Sequence, residues 1–206
     1  PPVSNPERVL VLNDGRVVLS GFADFSRGAG RAVHVYSPEL DHERSFGEPP
    51  VVRRQENAQA WGVGGVTPGP KGTIFFVRKL PFEIYQYLPN GTLVRRFDSP
   101  VRIDLMPDDA YVTERRGAEV VTSLGADVPR PLPAIAIGEE YLLTGLGQRE
   151  KSARHLYSLS SGFVREVALP EGWRGVIGYD AVRGYLWGYG ESGLEPVLFR
   201  ARVGGP

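Results

Sequence analysis

An all-β fold of the propeller type, built from about four copies of a four-stranded meander, is predicted by three observations. One residue register recurs at fixed offsets, short apolar or alternating runs follow it, and turn dipeptides bound those runs. The register aligns on Tyr36, Tyr87 and Tyr157. Eight residues after each stands an arginine (Arg44, Arg95, Arg165), ten after an apolar residue (Phe46, Phe97, Val167), and thirteen after a proline (Pro49, Pro100, Pro170). A fourth copy fits from its upstream side. Gly184 lies fifteen residues before Phe199, as Gly72 lies before Tyr87, so Phe199 is the fourth anchor. Anchor spacings of 51, 70 and 42 residues suit a four-stranded blade if the middle interval carries an insertion.

Taken in order, the elements follow from turn chemistry and periodicity. Asp14-Gly15 and Asn90-Gly91 supply the positive φ of tight hairpins, so Arg16 to Leu19 and Thr92 to Phe97 read as strands leaving them. From Met106 to Leu124 the pattern changes. Pro107-Asp108-Asp109 resembles a helix start, and Ala110, Val112, Ala118, Val121 and Leu124 make a broken helical stripe, which predicts a helical insertion over 106–124. Val197 to Val203 alternates cleanly, with Phe199, Ala201 and Val203 on one side and Arg200 and Arg202 on the other.

The 206 residues form one domain, 1–206, with no internal boundary. With 41% apolar and 23% charged residues the composition is globular, and 26 Gly and 18 Pro fit a chain of many turns. Lys plus Arg balances Asp plus Glu at 24 each, so no summed field steers the chain to nucleic acid or an anionic membrane, and no nucleic-acid partner is expected. No apolar run approaches the roughly 18 residues of a membrane span. The absence of cysteine removes disulfides, thiolate nucleophiles and thiolate metal sites. The opening Pro1-Pro2, without Met, reads as a processed form or an excerpt.

Candidate chemistry is sparse. His34 and His155 each stand two residues before an anchor tyrosine, a slot that Tyr85 fills in the second unit, so they read as strand positions. His42 lies in the charged turn Asp41-His42-Glu43-Arg44. No pair of histidines has a helical ligand spacing, and a structural zinc site is not expected. Gly188-Tyr189-Gly190-Glu191-Ser192-Gly193 matches a dinucleotide fingerprint. That motif must open a helix, whereas Pro196 and an alternating strand follow here, so the glycines read as a hairpin. Asn90-Gly91-Thr92 is formally a glycosylation acceptor that the hairpin turn already explains.

Gly72 to Val77 followed by Glu83 to Phe97, and Gly178-Tyr179-Asp180 followed by Arg183 to Trp187, resemble the blade pattern of the six-bladed β-propellers related to NHL repeats that are widespread in bacteria. The resemblance implies a fold rather than an activity. Four units where six are expected leave two readings: a larger propeller lacking its first blades, or a small ring closed by four. Export to the periplasm or beyond the cell is what the resemblance and the lack of thiols favour.

Three functions follow. The leading one is a non-enzymatic binding domain for a protein, peptide or glycan, without a cofactor. Trp61, Arg78, Lys79 and Trp187 break the repeat and belong to residue types that anchor interfaces, so they are the candidate contacts. The second is a metal-dependent lactonase or esterase. Gluconolactonase-like propellers hold one divalent cation with a Glu, an Asp and two Asn, for which Asp180 and Asn57 are the residues to test. The third is a structural segment of a longer multi-module protein.

Overall fold

A computed structural model describes residues 3–22, 30–52, 57–101, 103, 108–125, 127–148, 151–192 and 195–203. The first sheet joins β1 (Ser4–Val11), β2 (Val17–Phe22), β3 (Val33–Tyr36) and β4 (His42–Phe46). The second joins β5 (Gly64–Pro68), β6 (Ile74–Arg78), β7 (Glu83–Tyr87) and β8 (Leu93–Phe97), preceded by one helical turn, α1 (Ala58–Trp61). A separate hairpin follows, β9 (Tyr111–Arg116) with β10 (Glu119–Leu124). The third sheet joins β11 (Arg130–Ile137), β12 (Tyr141–Gln148), β13 (Lys151–Ser158) and β14 (Gly162–Val167). The last joins β15 (Trp173–Asp180), β16 (Tyr185–Ser192) and β17 (Glu195–Arg202).

Within every sheet the strands pair antiparallel in chain order, so each sheet is a meander. The first strands of successive sheets touch, β1 with β5, β5 with β11 and β11 with β15, which makes them the innermost strands of β-propeller blades. Apolar side chains fill the spaces between blades. Val18, Val33 and Val35 meet Ile74, Phe76 and Tyr85 between the first and second. Phe75, Ile84 and Phe97 meet Leu142, Leu146 and Tyr157 between the second and third, and Ile135 and Leu143 meet Val176 between the third and last.

The sequence repeat is the imprint of this packing. Each anchor lies in the third strand of its sheet: Tyr36 in β3, Tyr87 in β7, Tyr157 in β13 and Phe199 in β17. The residue ten positions later reaches the anchor of the following blade, Phe46 packing on Tyr87 with centroids 4.9 Å apart and Phe97 on Tyr157 at 6.3 Å. The arginine eight positions after the anchor grips the outer turn of that same following blade. Arg44 Nη1 donates to the Asn90 carbonyl at 3.0 Å, and Arg95 Nη1 donates to the Leu159 and Ser160 carbonyls at 2.6 and 2.9 Å. The repeat thus encodes contacts between blades. Removal of each phenol from water shifts its ionisation, and Tyr87 and Tyr157 are both pushed up to about 12.

Two expectations need correction. The 106–124 insertion is a hairpin rather than a helix; residues 104–107, including Met106 and Pro107, lie outside the described residues, and Asp108–Ala110 form a single 3-10 turn. Gly117 takes φ +66° at the reversal, and the two strands pair in register from Tyr111↔Leu124 to Arg116↔Glu119. Val112, Val120 and Val121 are β-branched and Thr113 faces Thr122, so local preference favours extended chain. The supposed helical stripe never converges on a core, since Val112 and Ala118 are exposed and Leu124 alone is buried. The last sheet also has three strands among the described residues where four were expected.

Candidate functional site

The starts of β1, β5 and β11 meet at one end of the blades, and there they border an open cleft of about 510 Å³. Its polar wall is Glu7, Arg8 and Lys79; its apolar wall is Trp61 and Pro131-Leu132-Pro133. Lys79 Nζ lies 2.5 Å from Glu7 Oε2, and the Gly64 N–H donates to Glu7 Oε1 at 3.4 Å. Gly62 makes that arrangement possible. Its φ is +66°, and a Cβ there would fall on the Glu7 carboxylate. Glu7 and Lys79 neutralise one another, and Arg8, exposed beside Gly65, leaves the wall with one surplus positive charge.

The structure brings two of the four candidate contacts to this cleft. Trp61, 2% exposed, closes its floor, and its indole N–H donates to the Tyr111 hydroxyl at 2.9 Å, which ties α1 to the β9–β10 hairpin. Lys79 stands on the rim. Arg78, the neighbour of Lys79, points the other way and is buried. Its Nε and Nη2 donate to the Pro49 carbonyl at 2.9 and 2.7 Å, and its Nη1 donates to Glu83 Oε2 at 3.0 Å. Glu83 also accepts from the Tyr85 hydroxyl at 2.5 Å and pairs with Arg96 at 2.7 Å, a network that fixes the connector between the first two blades. Trp187 lies apart on β16, half-buried, opposite Arg200.

The histidines sit in strand slots. His34 is fully buried, between the Ser45 hydroxyl at 2.8 Å and the Gly21 carbonyl at 3.2 Å, and burial lowers its pKa. His155 is buried against the edge of Phe163, and burial lowers its pKa too. Tyr85 is buried in the same slot of the second blade. The lactonase pair does not assemble. Asn57 is buried just before α1, whereas Asp180 ends β15 and accepts from the Val182 and Arg183 N–H groups, the latter with its side chain holding the carboxyl below the usual carboxylate range. No group of three or more potential metal-ligating side chains occurs among the described residues.

Glu7, Arg8 and the Pro131–Pro133 run were not singled out by sequence reasoning. They come from two different blades, and no local spacing announces a site assembled in that way. No family model matches this sequence, and no curated protein matches it. Solved structures similar to it include virginiamycin B lyase from Staphylococcus aureus, 12% identical with a TM-score of 0.43 over 100% of this chain and 74% of the lyase. A streptogramin B lyase is 11% identical with a TM-score of 0.43 over 100% of this chain and 71% of its own. A protein of unknown function from Bacteroides caccae is 12% identical with a TM-score of 0.44 over 95% and 75%. The propeller assignment rests on the chain's own sheet order and blade packing.

Proposed function

We propose that this chain is a non-enzymatic binding domain whose partner, a peptide, protein or glycan, seats in the cleft at the starts of the innermost strands. The observation that carries the reading is the composition of that cleft. A neutralised Glu7–Lys79 pair, a surplus Arg8 and a rigid Trp-Pro-Leu wall favour recognition of an extended ligand with an acidic group. The test is to probe peptide and glycan arrays with the folded chain. Hits lost on Arg8→Glu or Leu132→Arg and kept on Val182→Glu, a change at a distant exposed turn, support the cleft; hits indifferent to both cleft changes overturn it.

A second reading, that the blades belong to a larger NHL-like ring of six, is favoured by two sheet faces. The outward face of the last sheet carries Leu198, 71% exposed, and Tyr189, 50% exposed, beside Trp187. The outward face of the first carries Val9 and Val11, each 62% exposed. Apolar side chains on both outer faces are the counterparts of those that fill the inner blade junctions, and further blades would cover them.

A further inference from the structure

The third blade departs from its own repeat at one buried position. Three residues before the anchor, the first two blades place Val33 and Ile84, both fully enclosed, and the third places Arg154, 3% exposed. The pairing of Arg154 with Gly145 and Val167 sets it on the face turned to the last sheet, where Val33 and Ile84 also face the following blade. Its Nε and Nη1 have no hydrogen-bond partner. Among the described residues no carboxylate pairs with it; burial lowers its pKa, and the opposing influence comes from Tyr189 of the last sheet. A guanidinium keeps its charge under such conditions, so a buried one without a counter-charge is among the costliest arrangements a fold can hold. Gly145 stands opposite Arg154 and leaves room beside it.

We propose that Arg154 anchors an oxyanion site at the junction of the third and last sheets, taking a carboxylate or phosphate group. Bidentate N–H groups in a fixed plane match either oxyanion, and a low-dielectric surround strengthens the pairing. Leu132, across from Gly145 in the same row, lines the cleft, so the site adjoins it. The oxyanion site stands on the burial of Arg154 and does not depend on the cleft being occupied.

Thermal unfolding in acetate or inorganic phosphate, at constant ionic strength against chloride, tests this. A saturable rise of about 5–10 °C is expected for the wild type at 100 times Kd. Arg154→Met should abolish the saturable rise and unfold in chloride at or above the wild-type temperature, since Met fills the slot as Val33 and Ile84 do elsewhere. Arg154→Lys keeps the charge without the planar fork and should bind phosphate about tenfold more weakly by calorimetry, which covers the case of a Met variant that does not fold. Val182→Glu, at an exposed turn of the last sheet, should leave the rise intact. Response to phosphate alone assigns a phosphate ligand, and to acetate alone a carboxylate. The proposal is overturned by an equal rise in Arg154→Met, by no rise in the wild type with either anion, or by a chloride-only transition in Arg154→Met several degrees below wild type, which would show that Arg154 has an internal partner.

Discussion

At the scale of the residue, Arg78 shows how a side chain that breaks a repeat becomes part of the frame. Its three donated hydrogen bonds join the Pro49 carbonyl to Glu83, and Glu83 is itself nearly enclosed. Arg78→Met leaves that carboxylate with Tyr85 and the exposed Arg96, and urea unfolding should show a loss of about 3 kcal/mol. Arg78→Lys should recover little, because an ammonium cannot span both acceptors in one plane. The buried histidines give a pH dependence of definite sign. Burial lowers the native pKa of His34 and His155, so the native rings stay neutral while the unfolded chain binds protons below its ordinary histidine pKa. Their contribution is fully present above that unfolded value and is lost as pH falls through it toward the native one. The unfolding temperature should therefore drop between about pH 7 and pH 5, and His155→Phe should flatten that drop. The histidine slots were legible because a repeat exposes a position filled by His, Tyr and His. Arg154 was equally legible as an arginine among Val33 and Ile84, but reading it required knowing that the slot faces the next blade.

At the scale of the element, contacts between blades decide the repeat. Phe97→Ala removes a fully enclosed ring between Phe75 and Tyr157 and should cost about 3–4 kcal/mol. Arg95→Ala, which removes partly exposed hydrogen bonds to the next turn, should cost about 1 kcal/mol. Denaturant titration of the two variants separates these magnitudes, and a larger loss in Arg95→Ala would reverse the assigned order of importance. Strands bounded by Asp14-Gly15 and Asn90-Gly91 were legible because the turn residues fix the hairpins. The β9–β10 hairpin was not, since Ala110, Ala118 and two valines imitate a helical spacing by chance. Its β-branched residues and Gly117 at the reversal were the better signal. The dinucleotide-like glycines lie on β16 as far as Ser192, where Gly188 and Gly190 make room for Trp173 and Phe199 rather than for a phosphate.

At the scale of the whole molecule, the chain is a run of blades whose inner junctions are filled and whose two outer faces carry exposed apolar side chains, Val9 and Val11 on the first and Leu198 and Tyr189 beside Arg200 on the last. Blade count and order were legible from the anchors, whereas the cleft and the outer faces were not, because each depends on which sides of separate sheets come together. With Asn57 just before α1 and Asp180 at the end of β15, chelator and excess calcium, magnesium, manganese or zinc should leave the unfolding temperature unchanged. A cation bound by the native state at 100 times Kd would raise stability by about 2.7 kcal/mol and would restore the lactonase reading. The most direct measurement is sedimentation velocity of the 206-residue chain beside the double variant Val9→Lys, Leu198→Lys. Self-association of the wild type, abolished in a variant that unfolds as cooperatively, is the expected result for blades that belong to a larger ring. A wild type that stays monomeric across the same concentrations would contradict it and show that these blades need nothing further to cover their outer faces.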